Sequence, residues 1–386
     1  MQRRSLLKAL ASGAIMLHSP TLFASNKVVN KKSLKRVVWI LQRGAVDSLH
    51  TIIPTFEKNL TSLRPDLMTG LENAFPLDSQ FNLHPSLFNI HGLYMRKELS
   101  CVVATSTGYK GRSHFDGQDH LESGLENARL ESGWLGRAMD TLGSEGIAIS
   151  KTQPLAFRNS PRGSNFYPSN FNNSIDGLTD DLAALYQYDE KLTKTLNSGI
   201  EIKNTLISDG KKHPQVSFSK LCGECADIMK SKPNIQFVML ESGGWDTHKA
   251  QNVRLSRELR ELDSGIAQLK YGLGKDWKNT LVLVTSEFGR TVRQNGTQGT
   301  DHGTAGCIFI AGGSHLGGAI LGTWPGLSDA ALFEKRDLFP TSNTLSWVST
   351  AIKQHIGLDS TQIKAIFPDH SPYNNKLFND EKNPLP

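Results

Sequence analysis

The chain has 386 residues, 38% hydrophobic and 21% charged, with 43 Lys and Arg against 37 Asp and Glu and a formal net charge of +6. That length supplies a substantial buried core, as one large α/β domain or two smaller ones. Basic residues are scattered apart from "KKSLKR" at 31–36, which argues against a nucleic-acid partner, and four cysteines are too few for a disulfide scaffold of this size.

The first element is a targeting segment. "MQRRSLLKALASGAIMLHSPTLFA" places Arg3 and Arg4 before a short apolar stretch and a small-residue exit near Ala24. This is the layout of a twin-arginine export signal, so residues 1–24 are set apart from the fold and a periplasmic or otherwise exported location is expected. An ordinary N-terminal helix or a Sec signal carrying two arginines is the alternative. Arg3, Arg4 and Lys8 would leave with the signal, which brings the mature chain near +3 (6 − 3). The apolar core is interrupted by Gly13 and His18 and is short for a membrane span. No later stretch is longer, so the mature chain, 25–386, is expected to be soluble.

Five apolar, β-branched runs then read as strands: 36–42, 100–107, 234–242, 280–287 and 306–313. Most are continuously apolar, as strands buried on both faces should be. Between them lie helical patterns. The clearest is 252–273, with Leu255, Leu259, Leu262, Ile266 and Leu269 on one stripe. Alternating strands and helices predict a three-layer α/β/α domain with a largely parallel central sheet. The segment from about 157 to 232 is different. It begins rich in Asn, Ser and Pro and continues as a charged helical stretch, and it reads as an inserted excursion from the sheet. "CGEC", Cys222 to Cys225, falls on an amphipathic helix without a second Cys or His pair at zinc spacing, so it reads as structural.

Polar clusters follow four of the strands: "RGAVDSLH" with Asp47, "GYKGRSHFDGQDHLESG", "GGWDTHKAQ" with Asp246 and His248, and the loop from Glu287 to "TDHG" with Asp301 and His302. In open α/β sheets, sites form beyond the carboxyl ends of parallel strands, so these clusters would converge. Three carboxylates and two imidazoles (Asp47, Asp246, Glu287, His248 and His302) are mixed O and N donors suited to zinc or manganese. They are enough for one ion or two. The blander reading has Asp246 capping a helix, His248 packing on Trp245, and Glu287 pairing with Arg290.

Ser113 is the candidate nucleophile, or merely the N-cap of a helix with Asp116 three residues on. Lys110 and Arg112 are candidate clamps for an anionic group. In the run His114, Asp116, Asp119 and His120, helical spacing keeps His114 and Asp116 from facing one side.

The twin-arginine start, "SHFDGQDHLESG", "GGWDTH", "SEFGR" and "GTDHG", taken together, resemble the exported bacterial family called domain of unknown function 1501, in its motif order and over nearly the whole mature chain. The resemblance implies an alkaline phosphatase-like fold, shared with sulfatases, phosphomutases and phosphodiesterases. It also implies a metal-dependent hydrolase of phosphoryl or sulfuryl esters, acting on an anionic small-molecule or glycan ester. A non-catalytic, metal-stabilised binding or assembly protein is the alternative.

The superfamily pattern falls on Asp47, on Asp246 with His248, on Glu287 in place of an aspartate, and on His302. Asp301 then orients His302 from outside the ligand set. Where the superfamily has a further histidine, this chain has Phe288. That leaves a single ion, or a second, oxygen-rich site taking magnesium or calcium. The sulfatase signature Cys/Ser-x-Pro-x-Arg is not found.

Overall fold

The computed structural model describes residues 34–167, 178–190, 192–193, 196–197 and 216–378. The expected export signal at 1–24 lies outside them. In chain order the strands are β1 (Arg36–Gln42), β2 (Ile52–Pro54), β3 (Phe75–Pro76), β4 (Phe81–Leu83), β5 (Leu99–Ser106), β6 (Glu145–Ile149), β7 (Gly163–Phe166), β8 (Ile235–Ser242), β9 (Thr280–Ser286), β10 (Gly306–Gly312), β11 (Ile320–Leu321) and β12 (Ser342–Asn343).

The main sheet runs β11-β5-β10-β9-β1-β8-β6-β7, with β12 beside β5. β7, β6, β8, β1 and β9 are mutually parallel, and β10 is antiparallel to both its neighbours, β9 and β5. One reversed strand therefore leaves β5, β1, β8 and β9 pointing the same way. The short strands β2, β4 and β3 form a separate antiparallel sheet.

Every residue of β1 is buried, because its two faces serve two cores. Val38 and Ile40 pack with Leu221, Leu255, Leu259 and Leu262 on one side. Val37, Trp39 and Leu41 pack with Trp134, Leu135, Leu345 and Val348 on the other. Helices thus cover both faces of a largely parallel sheet, the expected three-layer architecture. The predicted stripe lies on the Gln251–Leu273 helix, and all five of its residues are fully buried.

Two parts of the expected excursion lie within the main body. Gly163–Phe166 is the parallel edge strand β7. Phe218–Ser231 is a helix packed on Gln251–Leu273. Cys222 and Cys225 sit in that contact, free and fully buried. A Cβ on Gly265 would come within 2.9 Å of Cys222 Sγ, so the missing side chain permits the close approach. Burial pushes both thiols up, which suits packing rather than redox work. The charged stretch that follows the Asn-rich segment opens as a helix, Leu178–Tyr186. No helix among the described residues is long and apolar enough to cross a membrane.

Candidate metal centre

β5, β8 and β9 deliver their following loops to one edge of the sheet. After β5 the chain turns through Arg112, whose φ of 59° is left-handed, into the helix His114–Ser123. After β8, Gly243 and Gly244 lead to Trp245, fully buried, and on to Asp246 and His248. After β9, Glu287 begins a loop that doubles back through an antiparallel bridge between Arg290 and His302.

These loops bring three imidazoles onto one carboxylate oxygen. Asp246 Oδ1 lies 3.0 Å from His248 Nε2, 3.2 Å from His302 Nε2 and 3.7 Å from His114 Nε2. His248 Nε2 and His302 Nε2 are themselves 3.0 Å apart. Ligand atoms on a tetrahedral zinc with bonds of about 2.0–2.1 Å stand ~3.3 Å from each other, so this spacing matches an ion's coordination sphere. His114, Asp246 and His302 offer donor atoms that all lie within 4.8 Å of one another.

Each ring is oriented from behind. His114 Nδ1 meets Glu287 Oε1 at 2.7 Å, His248 Nδ1 meets Asp301 Oδ1 at 3.1 Å, and His302 Nδ1 meets the Arg112 carbonyl at 2.9 Å. An acceptor at Nδ1 fixes the proton there and turns the Nε2 lone pair toward the cluster, the arrangement that metal-binding histidines use. Two such lone pairs then face each other across 3.0 Å, and a cation relieves that contact. His114 Nε2 is buried and has no hydrogen-bond partner. Phe288 walls this side, 5.0 Å from the His114 ring and 5.4 Å from His302, ring centre to ring centre. Phe288 is therefore apolar backing for the two rings.

Electrostatics favour a neutral His302 and ionised Asp246 and Glu287. Burial holds His302 below the ordinary imidazole value, helped by the nearby charges of Arg290 and His114. Burial pushes Asp246 upward, but the Arg290 guanidinium and His248 outweigh it and hold the carboxyl below its usual range. Glu287 is likewise held down against burial, by hydrogen bonds from His114, from backbone amides including that of Gly44, and from Ser286. These are the protonation states in which both residue types bind metal.

The remaining expected residues fall in different places. Asp47 is a correction: its carboxylate does not join the cluster. It is 1% exposed and forms an ion pair with Arg64, also 1% exposed, with Nη1 at 2.9 and 2.7 Å from its two oxygens. Gln251 and the His50 amide take its remaining acceptor positions. A dry carboxylate satisfied by four hydrogen bonds has no lone pair to offer an ion. Glu287 is also corrected, from ligand to the group that orients His114, since both its oxygens already accept hydrogen bonds. Asp301 serves His248 rather than His302.

Ser113 is the N-cap of the His114–Ser123 helix, with Oγ 3.5 Å from the Asp116 amide. Arg112 turns its guanidinium away to Asp337 and Glu334, and only its carbonyl serves the site. Lys110 lies over the Phe333 ring, 5.6 Å from its centre. Sequence reasoning passed over His114, which stands beside Asp116 in a dense polar run. The signal that would have found it is its place at the first turn of a helix leaving a strand end. Arg290, fully buried, bonds the carbonyls of Gly44, Ala45, Trp245 and Thr300 as well as Asp246, and so ties three loops together.

Residues 109–367 match the model of a family described as "Protein of unknown function (DUF1501)". No curated protein matches the chain. Among solved structures the chain is similar to the alkaline phosphatase from the Antarctic bacterium TAB5, at 13% identity over 85% of this chain and 99% of that one, with a TM-score of 0.39. It is similar to a protein in the alkaline phosphatase superfamily from Vibrio parahaemolyticus, at 13% identity over 92% and 75%, TM-score 0.37. A third is the phosphonate monoester hydrolase of Agrobacterium radiobacter, at 11% identity over 89% and 79%, TM-score 0.37.

Proposed function

We propose, from the premise that this chain belongs to the DUF1501 family, that it is an exported, metal-dependent hydrolase of phosphoryl or sulfuryl esters. One observation carries the reading: the Nε2 atoms of His114, His248 and His302 gather on Asp246 Oδ1 while every Nδ1 of the three is committed to an acceptor. A donor set dominated by imidazole fits zinc, then manganese, ahead of magnesium or calcium. When bound, the ion would supply Lewis-acid charge to an ester's developing anion.

The chain's own residues do the rest. His114, His248, His302 and Asp246 hold, Glu287 and Asp301 orient, and Phe288 keeps water from the back of the rings. The substrate class, an anionic small-molecule or glycan ester, follows from the motif resemblance together with a cationic centre. Export rests on the twin-arginine segment. The Ser113 hydroxyl, one residue from His114, is the attacking group on this reading.

A second reading, a metal-stabilised scaffold without turnover, is favoured by a different observation. Arg112 is ion-paired to two carboxylates and Lys110 lies on an aromatic ring, so neither stands free as an anion clamp.

The deciding experiment assays aryl phosphate, phosphodiester and sulfate hydrolysis by zinc- or manganese-loaded protein. It includes Ser113→Ala and His302→Ala. The hydrolase reading expects turnover of one ester class, lost with His302→Ala and lowered at least ~100-fold with Ser113→Ala. The N-cap contribution of Ser113, about 1 kcal/mol, is accounted for by matching folded fractions. Turnover unchanged in Ser113→Ala removes the serine from the mechanism. Metal-loaded protein that hydrolyses none of the three classes leaves the scaffold reading.

A further inference from the structure

We infer that this centre takes one divalent ion and not two, because a buried arginine of the chain itself, Arg64, occupies the carboxylate a second ion would need. The inference rests on the reading that the site binds metal and sharpens it. Two-ion sites set their cations about 3.5–4 Å apart, and a hard second ion such as magnesium or calcium takes oxygen ligands. Asp47 and Glu287 are the strand-end carboxylates that would complete such a pair, and each is spent.

Asp47 Oδ1 accepts from the His50 amide at 3.2 Å and from Arg64 Nη1 at 2.9 Å. Its Oδ2 accepts from Arg64 Nη1 at 2.7 Å and from Gln251 Nε2 at 2.6 Å. Arg64 cannot swing away cheaply. Its Nε donates to the Val292 carbonyl and its Nη2 to the Thr291 carbonyl, both at 2.6 Å, in a site where neither partner of the ion pair is more than 1% exposed. Displacing it would leave a buried guanidinium without its counter-charge, the costliest way to open an ion pair. Glu287 accepts from the Gly44 amide, His114 and the Ser286 hydroxyl. The donors within reach of a shared ion are those of His114, Asp246 and His302, with His248 Nε2 3.0 Å from both Asp246 Oδ1 and His302 Nε2.

Arg64 thus stands as a built-in cation beside Asp47.

The test is a count. Protein stripped with chelator is dialysed to equilibrium against zinc, then against manganese, and bound metal is measured by elemental analysis per mole of chain. One ion upholds the inference. Two ions overturn it while leaving the metal reading intact, and none sinks both, so the two failures are distinguishable. Asp47→Asn gives an independent arm. It should keep zinc affinity within about threefold of wild type, whereas losing a group that holds or orients a metal ligand costs about tenfold or more. A tenfold or larger loss in folded Asp47→Asn would make Asp47 part of the ion's environment and overturn the inference.

Discussion

Glu287 reaches the candidate centre only through the ring it holds. Its Oε1 stands 2.7 Å from His114 Nδ1, and Ser286 and the Gly44 amide keep the carboxylate from turning. His114 in turn has a buried Nε2 with no other partner. Removing the carboxylate should free the ring to rotate and to change tautomer, without removing a donor atom. Glu287→Ala is therefore expected to weaken zinc binding about 10- to 100-fold, with Glu287→Gln in between because its amide oxygen can still accept from Nδ1. His114→Ala should lose more than either. Competition with a chromophoric chelator ranks the three variants. Equal affinity of Glu287→Ala and wild type would mean that the carboxylate orients nothing.

The loop from Glu287 to Thr304 places His302 by folding tightly on itself. Gly303 N donates to the Gly289 carbonyl at 2.8 Å, Gly289 N to the Thr304 carbonyl at 3.1 Å, and Thr291 N to the Asp301 carbonyl at 2.9 Å. A Cβ on Gly303 would lie 2.4 Å from the backbone carbon of Arg290, so Gly303→Ala must push the two arms apart at the bridge between Arg290 and His302. Overpacking of this kind costs about 1–3 kcal/mol, and it should also lower zinc affinity, because His302 moves with the arm. Gly296→Ala, where an added Cβ meets nothing within 4 Å, is the control. Urea denaturation and zinc titration of both variants check this, and a Gly303→Ala protein indistinguishable from the control would refute the account.

The same loop shows what a sequence can and cannot carry. The five long strands were legible to within a residue at each end, because continuous apolar runs have few other destinations in a globular chain. β6 and β7 were not, being short and holding glycines that lie under Met139 and Phe157 instead of an apolar run. Asp246, His248 and His302 stood out as donors at strand ends. Asp47 was misread because nothing local announces that Arg64, 17 residues later, folds back onto it.

At the scale of the whole molecule, the chain buries several imidazoles away from the candidate centre, and that sets how its stability responds to acid. Burial lowers His50 to about 4, His84 to about 3 and His315 to about 4, against an ordinary value of 6.5. His315 is the cleanest case. Its Nδ1 donates to the Leu377 carbonyl and its Nε2 meets the Ser100 hydroxyl, both at 2.9 Å, partners that satisfy a neutral ring. Above about pH 6.5 the ring is neutral in folded and unfolded chains, and pH has no hold on it. As pH falls from about 6.5 toward 4, the unfolded chain takes up a proton that the folded chain refuses, so stability is lost across that window. Below about 4 both forms are protonated and the loss levels off. For this one residue the loss between pH 7 and pH 5 comes to about 2 kcal/mol. His315→Gln is less stable than wild type at pH 7, since it forfeits shaped packing and at least one hydrogen bond, yet it carries no titrating ring. Wild type should therefore lose about 2 kcal/mol more than the variant on moving from pH 7 to pH 5. Comparing the two proteins cancels the contributions of His50, His84 and the metal-site histidines. Urea midpoints at the two pH values give the difference directly, and parallel losses in the two proteins would show that His315 takes up its proton as readily in the fold as in the unfolded chain.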